Sequence, residues 1–155
     1  MFIATHVTMG ALIGQNVPTP ALAFTLGAAS HFILDMIPHG DSNLYHKYKQ
    51  GVSVRKSLIY VTADAIASIA LFIYLLEVAP YASRSTMIAG VIGGTIPDLI
   101  VAVGEWWKIR PLRWFQRLHI HIHDAVVSRV GNVPLKWGLL MQIIVLWAMV
   151  VLVRR

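Results

Sequence analysis

The chain has 155 residues, 57% of them hydrophobic and only 13% charged, with a formal net charge of +6 and no cysteine. Soluble domains are about 45–50% apolar and about 25% charged, so this composition, with a mean hydropathy of +0.66, argues against a soluble fold and for lipid as the solvent. The missing thiols exclude a disulfide framework and a thiolate metal site, and bases confined to short loops between apolar segments speak for membrane orientation rather than nucleic-acid binding.

The expected fold is all-α: a polytopic membrane bundle of about 4–6 helices, forming a single domain over residues 1–155. The N-terminus is apolar from Phe2, without a basic leader or a small-residue cleavage site, and reads as mature structure rather than a signal peptide. Phe2 to Val17 predicts a first, short helix, closed by Pro18 and Pro20. A second runs from about Pro20 to Ile37, with Pro20 suited to a first helical turn and Gly27 to Ser30 small enough for close helix contact. Residues 39–56 are polar and basic and read as a loop.

The third predicted helix spans Ser57 to Val78, and Pro80 to Ser85 is a brief turn. The fourth covers Thr86 to Val103, with a break expected at Gly93-Gly94-Thr95-Ile96-Pro97-Asp98, since irregular backbone at membrane depth lines cavities. Glu105 to Arg117 is basic and rich in tryptophan, the composition of an interfacial segment. Leu118 to Val130 reads as helical, although an extended strand would also place His119, His121 and His123 on one face. After a turn at Gly131 to Pro134, Trp137 to Val153 is a clean apolar span.

Two basic loops, 39–56 and 105–117, belong in the cytoplasm by the positive-inside rule, and the 80–85 turn outside. The N-terminus then starts on the cytoplasmic side of the membrane. On this topology His6, His31, Asp35, His39, Asp64, Asp98, His119, His121, His123 and Asp124 fall at one depth, whereas Glu77 lies at the other end of its helix. An aspartate at the centre of a membrane helix costs at least about 2.5 kcal/mol. Three of them, Asp35, Asp64 and Asp98, call for cation partners, and a metal ion supplies one directly. His31 and Asp35 are four residues apart, as are His119 and His123, so either pair grips one ion from one helix face. Imidazole and carboxylate without thiolate suit zinc, with manganese or iron as alternatives. The expected ligands are His6, His31, Asp35, His39, Asp98, His119 and His123. Asp64 and Asp124 are the expected proton acceptors.

The opening Thr5-His6, the segment Gly27-Ala-Ala-Ser-His31-Phe-Ile-Leu-Asp35-Met-Ile-Pro38, and Ile96-Pro97-Asp98 resemble motifs of the bacterial membrane-bound metal-dependent hydrolases of the YdjM type. Here the Pro-Asp element follows the Ser-His-x3-Asp helix instead of preceding it. The resemblance implies a distant relationship to zinc-dependent phospholipase C and the single-strand-specific nucleases, enzymes that hold three zinc ions and hydrolyse phosphoesters. It extends the expectation to one to three zinc ions and to a phospholipid or other phosphorylated substrate.

The leading expectation is therefore a membrane-embedded, phospholipase C-like hydrolase working at the cytoplasmic face, with the lipid bilayer as its partner. A metal or proton transporter is the first alternative, since intramembrane His/Asp chains also serve conduction. A non-catalytic protein with a structural metal is the second.

Overall fold

A computed structural model of the chain describes residues 1–40, 48, 50–52, 54–79, 83–131 and 133–154. The described residues form helices without strands: α1 Ile3–Asn16, α2 Pro20–Asp35, α3 Val54–Val78, α4 Arg84–Trp106, a 3-10 turn Arg110–Leu112, α5 Arg113–Val130 and α6 Leu135–Val153. The all-α expectation stands. Asp41, His46 and half of the 39–56 loop, together with residues 80–82 of the predicted outer turn, lie outside the described residues.

Three helices, α3, α4 and α6, are long and apolar enough to cross a membrane. On α3, Ile59, Ile66, Ile69 and Ile73 are each more than half exposed, as are Ile143, Ile144 and Trp147 on α6. Water-soluble monomers rarely present so much contiguous apolar surface, so this is a membrane-associated protein. α1 and α2, with 14 and 16 residues, are shorter, and both pack against α4.

Glycine makes that packing close. A Cβ on Gly10 of α1 would strike the backbone of Gly90 on α4, and a Cβ on Gly27 of α2 would strike the same carbonyl. Gly93 likewise sits against the backbone of Phe24. Small contact residues let helix backbones meet without bulky side chains between them. One register step decides what these contacts position. His6 stands one turn before Gly10, His31 one turn after Gly27, and Gly94 one turn after Gly90.

The expected break at 93–98 is absent: α4 runs through it without interruption, with Pro97 inside the helix. Proline removes one intrahelical donor, but it does not end a helix whose neighbours hold it on both sides. Gly93 and Gly94 serve as the flat contact surface for α2 and α1, not as a hinge. The 118–124 segment is helical rather than extended, and its helix starts earlier than expected, at Arg113.

The N-terminus of α1 receives its hydrogen bonds from other helices. Phe2, at the N-cap, offers no capping side chain. Instead Phe2 N–H donates to Gln142 Oε1 on α6 (2.8 Å), Ile3 N–H to Asp64 Oδ2 on α3 (2.6 Å), and Ala4 N–H to Asp64 Oδ1 (3.2 Å). Free amides at a helix start need acceptors, and a carboxylate also meets the positive end of the helix dipole. Away from this end, Val7, Ala11, Leu75, Ala79, Met87, Val91 and Val153 form an apolar core.

Candidate metal centre

The site grows from Asp35, the last residue of α2, whose side chain is 2% exposed. Its Oδ1 faces the amino nitrogen of Met1 and His6 Nε2 (3.1 Å); its Oδ2 faces His31 Nε2 (3.1 Å) and His119 Nε2 (3.5 Å). Asp98 of α4 approaches the same two histidines from the other side, with Oδ1 3.7 Å from His31 Nε2 and 3.6 Å from His119 Nε2. One atom from each of His31, Asp35, Asp98 and His119 thus lies within 4.8 Å of the others, a group that could hold a metal ion.

Four donors placed tetrahedrally about 2.0–2.1 Å from a zinc ion stand about 3.3 Å apart. The four histidine–carboxylate separations here, 3.1 to 3.7 Å, are close to that. The orientation of His31 fits as well. Its Nδ1 donates to the Gly94 carbonyl (2.9 Å). A carbonyl only accepts, so Nδ1 carries a proton, and Nε2 faces the Asp35 and Asp98 carboxylates. Either a second ring proton or a bound cation in its place balances the charge there. With a metal bound, the Gly94 contact would be the outer partner that fixes the His31 tautomer.

A second group, Asp35, His39 and His123, meets the first at Asp35. His39 Nδ1 donates to the Ile37 carbonyl, and His123 Nδ1 lies 3.1 Å from Asp124 Oδ1. Burial holds His123 below the ordinary imidazole pKa, with the positive amino terminus adding to the effect and the Asp35 and Asp124 carboxylates opposing it. A histidine kept neutral is one able to ligate. His39 itself is clamped from α6: Gln142 Nε2 donates to its carbonyl (3.1 Å), and Gly138 packs against that carbonyl so closely that a Cβ would collide with it.

Six of the seven expected ligands therefore fall into these two groups. His6 belongs to neither; it hydrogen-bonds Asp35 and stacks obliquely on His31, with ring centroids 4.1 Å apart. The helical form of α5 turns His119 and His123 inward and leaves His121 exposed. The two expected proton acceptors separate. Asp124 sits beside His123 at the rim, 29% exposed. Asp64 lies at the start of α1, where both its oxygens accept backbone amides, and it does not join the cluster. Gln142 and the Gly94 carbonyl position the site without having been anticipated. The signal for Gln142 was available as a lone amide in an otherwise apolar span.

Comparison with family models, with curated proteins and with solved structures finds no match for the chain. Function rests on the site itself.

Exposure gives the site a direction. His31 and Asp35 are sealed, His119 is 4% exposed, and Asp98 is 33% exposed. The cluster is closed at His31, Asp35 and His119 and partly open at Asp98.

Proposed function

We propose that the chain is a membrane-embedded, metal-dependent hydrolase of phosphoester substrates, with zinc as its metal. The observation that carries this reading is the convergence of His31, His119, Asp35 and Asp98 with Asp98 left partly exposed. A purely structural zinc site is closed on all sides by protein, whereas a catalytic one keeps an accessible position. A bound ion would supply electrostatic activation of a water and of a phosphoryl oxygen. His31, His119, Asp35 and Asp98 would hold it, with Gly94 fixing the His31 ring, and Asp124 at the rim would accept the proton from the attacking water. The Asp35, His39 and His123 group provides for a second ion. The resemblance to membrane-bound metal-dependent hydrolases belongs to this reading, as do an inner-membrane location, a multi-pass topology and a site on the cytoplasmic side.

The geometry speaks less well for transport. Among the described residues, the bundle beyond the cluster has Val7, Ala11, Met87 and Val91 at its core, and the buried Thr8 and Thr86 hydroxyls there bond back to the Ala4 and Ser83 carbonyls of their own segments. The test is hydrolysis of a chromogenic phosphodiester and phosphomonoester by protein purified in mild detergent and loaded with zinc or manganese. Turnover that is abolished by chelation and absent from Asp98→Asn supports the reading. A metal-loaded protein inert toward both esters counts against it.

A further inference from the structure

α4 ends in a turn that sends the chain outward along the bundle surface. Trp107 caps the helix, Lys108 adopts a left-handed φ of +52°, and Ile109 N–H returns to the Gly104 carbonyl (3.0 Å). A 3-10 turn and α5 follow directly. The strip so formed carries three exposed tryptophans, Trp106 (76%), Trp107 (67%) and Trp114 (61%). Between and beyond them Lys108, Arg110, Arg113 and Arg117 are all exposed. The sole acid from 105 to 121 is Glu105, which has an interaction of its own.

α5 divides this strip from the metal centre. Phe115, His119 and His123 recur every four residues on the inward side, whereas Arg113 and Arg117 recur on the other, about 200° round the helix from Phe115 and His119. Arg117 Nε bonds the Arg113 carbonyl (3.3 Å). Indole rings with guanidinium groups suit the boundary of a membrane, where the rings enter the headgroup layer and the cations meet lipid phosphate. The strip also begins where a helix capable of crossing a membrane ends, which places it at that boundary.

We propose that the Trp106–Arg117 strip is a docking surface for anionic phospholipid headgroups. The inference needs membrane association but not hydrolysis, and it concerns a face of α5 that holds no candidate ligand.

The test uses full-length protein in nanodiscs, with Trp137→Phe and Trp147→Phe leaving the strip's three indoles as reporters. Phosphatidylglycerol or phosphatidylcholine is brominated in turn at equal mole fraction, and fluorescence quenching is read. The expected result is stronger quenching by the anionic lipid. The excess disappears at about 1 M salt, where the screening length falls to about 3 Å, and in Lys108→Gln/Arg110→Gln/Arg113→Gln/Arg117→Gln. Enrichment drops by up to about fivefold for each cation removed. Equal quenching by the two lipids, the outcome expected if the strip docks an acidic protein instead, overturns the proposal. So does an excess that survives the fourfold substitution. Since quenching requires no metal, its failure leaves the hydrolase reading standing, and failure of hydrolysis leaves this one.

Discussion

His31 Nδ1 is held by the Gly94 carbonyl at 2.9 Å, and that single bond from α2 to α4 aims Nε2 at Asp35 and Asp98. It is possible because Gly27 and Gly90 let the two helices touch one turn earlier. Glycine packing and metal ligation are therefore parts of one arrangement.

Widening that contact should disturb the site from a distance. Gly90→Ala introduces a Cβ into the backbone of Gly10, an overpacking expected to cost about 1–3 kcal/mol. Thermal unfolding in detergent should shift downward, and metal affinity should fall although no ligand is changed. Gly131→Ala is not a suitable control because φ there is +83°. An exposed α3 substitution such as Ile66→Val, at a residue 64% exposed, should leave both unaltered.

Asp64 separates a helix-capping role from a catalytic one. Its oxygens accept the Ile3 and Ala4 amides, so Asp64→Ala should destabilise the protein by about 1–2 kcal/mol, the loss typical of a helix cap. Bound metal per protein should remain that of the wild type. If Asp64→Ala instead kept full stability and lost only hydrolysis, the capping account would be wrong and the sequence expectation of a proton acceptor right.

His119 and His123 should differ from His121. His119→Ala is expected to weaken metal binding by more than about 100-fold, beyond the range seen when outer partners of ligands are removed. His123→Ala should remove the second group and lower the number of ions bound. His121→Ala, at an exposed position, should do neither. Isothermal titration with zinc distinguishes the three.

Chelation should loosen α5 before the rest of the bundle. Its inward contacts are chiefly Phe115 against Phe32 and His119 against the α2 and α4 carboxylates. With the ion removed, amide hydrogen exchange over residues 113–130 should rise by at least about tenfold, since local opening is governed by such contacts. Exchange in the Val7–Val91 core should hold steady. Uniform loosening of the whole bundle would show that the ion does not tether α5 in particular.

The helices were legible because lipid imposes apolar runs of fixed length, and prolines and glycines punctuate them. The His31/Asp35 and His119/His123 pairs were legible because spacing on one helix fixes their side. What spacing within a helix does not encode is which neighbouring backbone a side chain will meet. Asp64 therefore read as an active carboxylate when its partners are amides of α1. Gly93, Gly94 and Pro97 read as a break, when the same residues serve an uninterrupted helix that packs closely on both α1 and α2. His6, also expected as a ligand, stands outside both groups and hydrogen-bonds Asp35.

The central claim is that His31, Asp35, Asp98 and His119 bind a metal ion, and metal content tests it most directly. Protein purified in mild detergent without chelator, then measured by inductively coupled plasma mass spectrometry, should carry at least one zinc, manganese or iron ion per chain. Asp35→Asn should carry essentially none while keeping the helical circular dichroism of the wild type. A wild type that retains no metal, and takes up none when zinc is added, contradicts the account.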